Sequence, residues 1–278
     1  MKPSVIATLA TGPAIKDLQV LLTSLEIFNE NPPTVYLFCD STIEDAKPTL
    51  NYKGTLKHKT CLDAYSRKSR LEMEHTPGKH FKNQWFDFMT EKINLLRWVF
   101  STNQENGVLF CDADICFLGP LPTIPDDARL ALSPHGIRDA DAKKYGFYNG
   151  GFVWMREAAL ADAWWDACGS SRFYEQSALE TLADSVKPYE FPRTENYGWW
   201  RLWQGVETPD VLLKDWGMNR SKGGSGLTVG GQTLGSVHTH FFEKSDGATM
   251  SFNAIVIGFL RKLEAHPPAK RLLGALKN

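Results

Sequence analysis

An apolar run that ends in two carboxylates constrains this chain more than any other feature. Residues 108–111 read Val-Leu-Phe-Cys, and Asp112, Ala113 and Asp114 follow directly. A short continuous apolar run is typical of a buried strand in a parallel sheet. Because side chains two positions apart in an extended chain point the same way, both carboxylates can serve one cation. Carboxylate oxygens suit Mg²⁺ or Mn²⁺ carrying a diphosphate, so the pattern predicts a metal site.

A second copy of the same tripeptide provides an internal control. Asp139-Ala140-Asp141 lies in a polar stretch with no apolar strand before it. We expect this copy to be a solvated turn or the start of a helix. The alternative for the first copy is that Asp112 and Asp114 only cap a loop or helix after the strand. The apolar context, rather than the tripeptide, therefore carries the prediction.

The composition favours a large folded core and argues against nucleic-acid binding. The chain has 278 residues, of which 42% are hydrophobic and 12% aromatic. A chain of this size can bury a large core as one α/β domain, with or without a small appendage. Its 31 basic and 32 acidic residues give a net charge of -1, which lacks the basic excess of a nucleic-acid-binding protein.

Cysteine usage and the N-terminal segment predict a soluble protein of a reducing, cytoplasmic compartment. The first apolar stretch is too short and too broken by threonine for a signal peptide, and no run reaches about 18 apolar residues. The cysteines are odd in number and form no Cys-x-x-Cys pair, so we expect reduced core thiols. They are Cys39, Cys61, Cys111, Cys116 and Cys168.

The N-terminal part predicts the opening βαβ unit of a parallel sheet. Residues 5–10 and 34–39 have the pattern of strands, and residues 14–28 carry leucines at helical spacing. In such sheets ligands bind at the carboxyl ends of the strands. We therefore expect a ligand to be held by the positions that lie there, which are Thr8, Ala10, Thr11, Gly12 and Asp40.

The middle of the chain alternates further elements with polar segments. For residues 41–82 we predict only a mobile or variable connection, whereas 83–102 has the apolar stripe of a long helix. Strands are predicted over 129–133 and 148–155, and helices over 157–168 and 174–184. Asn149-Gly150-Gly151 opens the second of these strands, which indicates either close approach of the backbone to a ligand or a plain hairpin turn.

A tryptophan cluster and then a glycine-rich stretch follow. Residues 195–203 place Trp199, Trp200 and Trp203 beside polar groups. Flat aromatic faces next to hydrogen-bonding groups hold sugar rings, but tryptophan is also a common core residue. Residues 221–235 contain six glycines, too many for a regular element, and we predict a flexible flap there.

Residues 236–244 are predicted to form a short strand with two histidines on one face, His238 and His240. Histidine is a competent third ligand beside two carboxylates, and Lys244 is placed to neutralise phosphate. The basic C-terminal tail with its apolar run at 254–260 is interpreted as a docked helix, with peripheral contact to an anionic membrane as the alternative.

Taken together, these motifs resemble those of GT-A glycosyltransferases, and most closely the group like glycosyltransferase family 8. The resemblance spans most of residues 4–245 and rests on the βαβ unit, the strand-terminal Asp-x-Asp, Asn-Gly-Gly, Glu-Gln, and the late His with Lys. It implies a single domain over 1–278 with a mixed, mainly parallel sheet flanked by helices. Residues 1–120 would bind the nucleotide sugar, 121–245 would form the smaller acceptor side, and 246–278 a helical tail.

The resemblance also implies roles for individual residues. The family pattern His-x-x-Gly-x-x-Lys-Pro-Trp lacks its glycine and Pro-Trp here, so either His238 or His240 would complete the metal shell of Asp112 and Asp114. Lys244 would touch phosphate, Lys92 or Arg97 would supply the family's basic residue near the donor, and Glu175-Gln176 replaces an Asp-Gln pair. The remaining donor-binding positions implied are Ala113, Asn149, Gly150 and Gly151.

The function implied is transfer of a sugar from a nucleotide donor, UDP-linked, to a hydroxyl of a glycan acceptor with Mn²⁺ or Mg²⁺. An inverting enzyme needs a carboxylate base, for which Glu175, Glu195 and Asp215 are candidates, whereas the family retains configuration. Gln176 joins Glu175 and Asp215 in the predicted catalytic set. The alternatives are a sugar nucleotidyltransferase, which would want a basic glycine-rich loop after the first strand, and a glycan-binding module without catalysis.

Overall fold

The computed structural model describes residues 1–46, 50–102 and 107–277, and it opens with the predicted βαβ unit. Strand β1 (Val5–Ala10), helix α1 (Ile15–Phe28) and strand β2 (Thr34–Cys39) follow one another, and the two strands pair in parallel. Leucines at helical spacing bury one face of α1 against the sheet. These fully buried residues are Leu18, Leu21, Leu22 and Leu25.

The rest of the chain adds further strands and helices. They are α2 (Ser41–Ala46), β3 (Leu56–Thr60), α3 (Arg70–His75), α4 (Gln84–Thr102), β4 (Val108–Cys111), β5 (Ile115–Phe117), β6 (Leu130–Pro134), α5 (Asp139–Tyr145), β7 (Tyr148–Met155), α6 (Ala158–Cys168), α7 (Ala178–Val186), β8 (Tyr189–Glu190), β9 (Tyr197–Gly198), α8 (Trp200–Trp203), α9 (Pro209–Lys214), β10 (Trp216–Met218), β11 (Leu227–Val229), β12 (Gln232–Thr233), β13 (Ser236–His238), α10 (Gly247–Lys262) and α11 (Pro267–Ala275).

The central sheet has the strand order β3-β2-β1-β4-β7-β6-β8. Strands β3, β2, β1 and β4 run parallel, β7 is antiparallel to both β4 and β6, and β6 pairs in parallel with β8. The predicted mixed, mainly parallel sheet is therefore confirmed. The carboxyl ends of β1 and β4 lie side by side, which brings the first strand end and the Asp-x-Asp to one edge.

Helices cover both faces of this sheet and form two cores. On one face Ile93 and Leu96 of α4 pack with Trp164 of α6 against Phe110 and Val153. On the other face α1 packs against Ile6, Leu109 and Phe152. Ile93, Leu96 and Val99 of the predicted stripe are thus core, as the 3.6-residue period requires. Trp85, Phe88 and Met89, at the N-terminal end of the stripe, are only half-buried.

Residues 41–82 are more structured than predicted. Helix α2 and helix α3 lie within this segment, and β3 pairs in parallel with β2 as the edge strand of the sheet. A strand was not expected because Leu56-Lys-His-Lys-Thr60 is polar and its side chains are mostly exposed. Backbone pairing at a sheet edge needs no apolar pattern, so the sequence signal was absent. Residues 47–49 lie outside the described residues.

Residues 221–235 contain regular elements, contrary to the prediction that their glycines exclude them. Strands β10, β11 and β12 form a small antiparallel sheet there, and Leu227 and Val229 are buried. Five of the six glycines have positive φ and sit in the turns of this sheet: Gly223, Gly224, Gly226, Gly230 and Gly231. Glycine is the residue that adopts this conformation without strain, so its density marks tight turns between short strands.

The C-terminal helices dock onto a third core. Phe252, Val256 and Leu260 of α10 and Leu272 and Leu273 of α11 are buried with the small sheets. These apolar faces are used in packing within the protein and do not support the predicted membrane contact. Among the described residues, no helix is both long enough and apolar enough to cross a bilayer.

The cysteines are free thiols, in line with the prediction of reduced cysteines. Cys39, Cys111, Cys116 and Cys168 are buried. Cys61 is exposed, which corrects the expectation that every cysteine belongs to the core. It follows β3 at the sheet edge, where side chains meet solvent.

Helix α10 offers a test of the fold away from the site. A methyl group at Gly258 would meet no heavy atom within 4 Å. Because glycine in a helix interior loses more backbone entropy than alanine, we expect Gly258→Ala to stabilise the fold by about 0.5–1 kcal/mol in urea unfolding. The reciprocal change Ala254→Gly in the same helix should destabilise it by a similar amount. A lower unfolding free energy for Gly258→Ala would contradict the placement of this helix.

Candidate active site

The Asp-x-Asp forms a turn between β4 and β5 at the carboxyl edge of the sheet. The backbone N–H of Asp112 donates to the carbonyl of Gly151 on β7 at 2.9 Å, and the N–H of Ile115 donates back to the Asp112 carbonyl at 3.1 Å. The Asp112 and Asp114 side chains are 24% and 11% exposed. The second tripeptide instead opens helix α5, as expected for a solvated copy.

Strand β13 brings a histidine to these carboxylates from more than a hundred residues away. It pairs antiparallel with β5, which sets His238 opposite Ile115. The His238 Nε2 lies 3.1 Å from Asp114 Oδ1 and 3.7 Å from Asp112 Oδ2. One ligand atom from each of Asp112, Asp114 and His238 lies within 4.8 Å of the others, so these three could hold a metal ion.

Asn196 fixes the orientation of the His238 ring. Its amide nitrogen donates to Ser133 Oγ at 3.1 Å and to Asn149 Oδ1 at 3.0 Å, so its oxygen must face the ring. That oxygen is 2.8 Å from His238 Nδ1, which therefore carries the proton. The Nε2 atom is left facing the two carboxylates, where it could ligate a metal in place of a proton.

His240 lies on the solvent side of the same carboxylates. It is 56% exposed, with Nε2 at 3.5 Å from Asp114 Oδ2 and Nδ1 at 3.2 Å from Asp17 Oδ2. The charge of Asp114 and the hydrogen bond to Asp17 raise the pKa of His240 to about 9, although burial opposes them. Burial would raise the pKa of Asp114, but His238 and His240 outweigh it and hold that pKa well below its usual range.

Lys92 extends from α4 into the base of the site and is fully buried. Its Nζ lies 2.7 Å from Glu175 Oε1, 3.2 Å from the Gly150 carbonyl and 3.6 Å from Asp112 Oδ1. Burial would lower the pKa of Lys92, but Asp112 and Glu175 outweigh it and raise that pKa. The ammonium therefore stays charged and offsets the carboxylate of Asp112 from behind.

The two glycines of β7 leave room for these side chains. A methyl group at Gly150 would lie 2.8 Å from Glu175 Oε1, and one at Gly151 would lie 2.6 Å from the His238 ring. The backbone lies close to side chains of the protein here, and whether it also approaches a ligand stays a prediction. The neighbours it meets are the site's own charged side chains, so larger residues would displace the carboxylate and the imidazole together.

A cavity of about 880 Å³ opens in front of the cluster. Its lining joins the end of β1 to the Asp-x-Asp and to the turn before α7. The predicted site residues that line it are Ala10, Thr11, Lys92, Asp112, Ala113, Asp114, Asn149, Gln176, His238 and His240. The predicted residues outside its lining are Thr8, Gly12, Asp40, Gly150, Gly151, Glu175, Asp215 and Lys244.

The strand-end predictions on β1 and β2 need correction at three positions. Thr8 is fully buried within the sheet and its hydroxyl has no partner among the described residues. The Asp40 carboxylate accepts from the N–H groups of Gly12 at 2.9 Å and Ile43 at 3.0 Å. Asp40 therefore fixes the loop after β1 and caps the start of α2. The Gly12 N–H is already hydrogen-bonded to Asp40 and does not face a ligand.

Two of the predicted catalytic carboxylates are not positioned in the cavity. Glu175 lies in a turn before α7, which begins at Ala178 rather than at 174, and it is buried against Lys92. Asp215 is exposed and forms a surface ion pair with Arg193 at 2.6 Å. Lys244 is also exposed and lies outside the cavity lining. By contrast, the Gln176 amide lines the cavity and accepts from Gly150 N–H at 3.2 Å.

Sequence reasoning missed several residues of the site. Asn196 was seen only as a polar neighbour of the tryptophans, and its contact with His238 joins positions 42 apart. His135 and Tyr65 line the cavity as well. The His135 ring is uncharged at pH 7, because burial lowers its pKa to about 4. No local pattern marked these residues, since their roles depend on which strands become neighbours.

Solved structures of low sequence identity share this fold. The galactosyltransferase LgtC, solved with donor and acceptor sugar analogs, is 14% identical with a TM-score of 0.61, over 99% of this chain and 96% of that one. The apo form of the glycosyltransferase GlyE from Streptococcus pneumoniae TIGR4 is 13% identical with a TM-score of 0.53. That alignment covers 88% of this chain and 56% of GlyE, so the chain spans little more than half the length of GlyE.

No family model and no curated protein matches the chain. At these identities the structural likeness establishes the fold alone. That fold is the predicted GT-A glycosyltransferase fold, with its mainly parallel sheet flanked by helices.

Glu195 supports the site from beneath, since it is buried next to Asn196. Ser236 Oγ donates to Glu195 Oε2 at 3.0 Å and accepts from the Asn196 N–H at 2.8 Å. Burial raises the pKa of Glu195 to about 8, and the Ser236 hydrogen bond opposes this only in part. The side chain is therefore neutral at pH 7, and its place in the packing speaks against a role as a general base.

This environment predicts a pH dependence of stability. Between the ordinary carboxyl pKa and about pH 8 the unfolded chain is ionised at Glu195 while the folded chain is not, so stability falls as the pH rises through that window. We expect Glu195→Gln to remove this component, with a gain over wild type at pH 8 of the order of a few kcal/mol. Urea unfolding at pH 5 and pH 8 measures it. The exposed Glu207→Gln is the control, and parallel curves for wild type and Glu195→Gln would contradict the prediction.

Proposed function

We propose that the protein is a metal-dependent glycosyltransferase. It moves a sugar from a nucleotide-diphosphate donor, UDP-linked, to a hydroxyl of a glycan acceptor. The observation that carries the proposal is the cluster of Asp112, Asp114 and His238 at the carboxyl edge of a GT-A sheet, facing a cavity of about 880 Å³. A cavity of this size accommodates a nucleotide sugar with room beside it for an acceptor.

The donor set fits a divalent cation. Two carboxylates and one imidazole nitrogen are oxygen and nitrogen ligands that Mn²⁺ and Mg²⁺ accept, and substrate phosphate would complete the shell. The His238 Nε2 is prepared for this by Asn196, whereas His240 contacts only Asp114 and Asp17 and is more than half exposed. His238 is therefore the third ligand in this proposal. The cation supplies electrostatic stabilisation of the departing diphosphate.

The nucleotide occupies the end of the cavity formed by the loop after β1. Ala10 and Thr11 line that end and the Asp-x-Asp lies next to it, because β1 and β4 are neighbours in the sheet. Lys92 and Glu175 act from behind the cluster: the ammonium contacts the Asp112 carboxylate and is itself held by Glu175. Lys92 thus positions Asp112, and it also lines the cavity.

A carboxylate base for inversion finds little support among the described residues that line the cavity. Beyond the Asp-x-Asp, its acidic lining residues are Glu243 and Asp246. Glu243 accepts from the backbone N–H groups of Lys244 and Ser245, and Asp246 caps α10 through the Thr249 N–H at 2.9 Å. Both are committed to local structure, and Glu175, Glu195 and Asp215 lie elsewhere. We therefore favour retention of configuration, which NMR of the anomeric proton in the first-formed product tests.

The two alternative functions are less well supported. A nucleotidyltransferase would use a basic glycine-rich loop after β1, but Gly12 is bound to Asp40 and the residues from Thr11 to Ala14 carry no positive charge. A glycan-binding module would leave the buried lysine, the paired aspartates and the oriented histidine without a role. Such an assembly of buried charges is costly unless it serves a site.

The two Asp-x-Asp tripeptides of the chain provide a matched test of the metal site. We expect Asp114→Asn to lower Mn²⁺-dependent hydrolysis of a UDP-sugar, assayed without acceptor, by about 100-fold or more, because the cation loses a charged ligand. The equivalent change Asp141→Asn at the start of α5 should leave the rate unchanged. Equal rates for Asp114→Asn and wild type would refute the metal assignment.

The choice between the two histidines has its own test. We expect His238→Ala to weaken Mn²⁺ binding by about 10-fold or more, since a ligand and its supporting hydrogen bond are lost. His240→Ala should weaken it less, because this side chain contacts Asp114 alone among the three ligands. Isothermal titration with MnCl₂ and UDP measures both. A larger loss of Mn²⁺ affinity in His240→Ala than in His238→Ala would show that His240, and not His238, is the third ligand.

A further inference from the structure

The three tryptophans of residues 199–203 occupy different environments. Trp200 is buried, and its ring makes edge contacts with His135 at 5.1 Å and with His238 at 5.0 Å between centroids. Its indole N–H donates to the His135 carbonyl at 2.9 Å. Trp203 is 37% exposed and lies outside the cavity lining. Trp199 alone combines partial exposure with a place in the cavity wall.

The polar groups of Trp199 and of its neighbour Gln204 are uncommitted. Neither the Trp199 indole N–H nor the Gln204 side-chain amide hydrogen-bonds to any part of the chain that the structure describes. Both residues line the cavity, at the two ends of α8. The backbone of Gln204 is held in place, because its N–H donates to the Trp200 carbonyl at 2.7 Å and its carbonyl accepts from Arg138 at 2.9 Å.

The position of this pair relative to the metal cluster defines what it can bind. The Trp199 ring lies 6.2 Å from the Trp200 ring, which in turn packs on His238. The end of β1, where the nucleotide is proposed to bind, forms another part of the cavity lining. Trp199 is thus connected to the metal cluster through Trp200, and a molecule resting on it would lie close to the transferred sugar, as an acceptor must.

Neutral and charged groups share the cavity lining with Trp199, and its basic side chains Lys68 and Arg70 contact Gln84 and Glu74. Gln204, Asn149 and Gln176 carry amides, and His135 is buried with a lowered pKa, so it is uncharged at pH 7. The carboxylates of the cavity belong to the metal cluster and to the Glu243 segment. A flat aromatic face with neutral hydrogen-bonding groups beside it suits a sugar ring, whose C–H face is apolar and whose hydroxyls need partners.

We infer that Trp199 and Gln204 form the binding subsite for an uncharged pyranose of the acceptor, with Trp199 as the platform and Gln204 as a hydrogen-bonding partner of its hydroxyls. The inference rests on the proposed glycosyltransferase function and adds the acceptor's chemical class and the residues that select it. Trp200 acts behind this subsite by positioning His135 and His238, and Trp203 has no part in it.

The test compares Trp199→Leu with Trp203→Leu, since both remove an indole from the same short segment. Transfer is measured with Mn²⁺, a UDP-sugar and a panel of p-nitrophenyl glycosides: neutral glucoside, galactoside and N-acetylglucosaminide, and the charged glucuronide. We expect a neutral glycoside to be the preferred acceptor, and its KM to rise about 10-fold in Trp199→Leu, as loss of one aromatic contact predicts. Trp203→Leu should match wild type, and Trp199→Phe should recover part of the loss.

Hydrolysis of the UDP-sugar without acceptor separates this subsite from the proposed function. It should be unchanged in Trp203→Leu and should fall far less than transfer in Trp199→Leu, which also shows that both variants fold. Equal losses of hydrolysis and transfer in Trp199→Leu would place the donor on this residue and overturn the inference. An unchanged acceptor KM, preference for the glucuronide, or no response to any glycoside by a protein that hydrolyses UDP-sugar would also overturn it. Absence of hydrolysis in wild type would instead refute the proposed function.

Discussion

Two carboxylates held side by side at the end of a buried strand require nearby positive charge, and the rest of the site follows from this constraint. The carboxylates of Asp112 and Asp114 have like charge, and burial adds to the cost of ionising Asp114. Lys92 from α4 meets Asp112 from behind, and His238 and His240 meet Asp114 from the front. Asp112, Asp114 and His238 could in addition bind a divalent cation, which would supply further positive charge.

The fold supplies these partners from distant parts of the chain. Strand β5 follows the Asp-x-Asp immediately and pairs with β13, so His238 is aligned with the turn by backbone hydrogen bonds rather than by sequence proximity. Strand β7 pairs with β4, and its glycines leave the space that Asp112, Glu175 and His238 fill. The polar network of Asn149, Asn196 and Ser133 then sets the histidine tautomer.

Much of this fold could be predicted from periodicity, because β1, α1, β2, α4 and β7 carry strong apolar patterns. The Asp-x-Asp was recognisable for the same reason, through the apolar strand before it. What the sequence could not reveal was the pairing of short strands. Edge strand β3 is polar, and β11 and β12 are too short to show a pattern between their glycine turns. The role of Asn196 arises only when β9 and β13 become neighbours. For the same reason Asp215 looked like a catalytic candidate, although it lies in a surface ion pair.

The most direct measurement of the central claim is anomalous diffraction from crystals grown with Mn²⁺ and UDP. The account predicts one manganese peak in contact with the carboxylates of Asp112 and Asp114 and with Nε2 of His238, and with the UDP diphosphate on its open side. UDP bound in the cavity with no manganese at these three residues, or manganese held by other side chains, would contradict it.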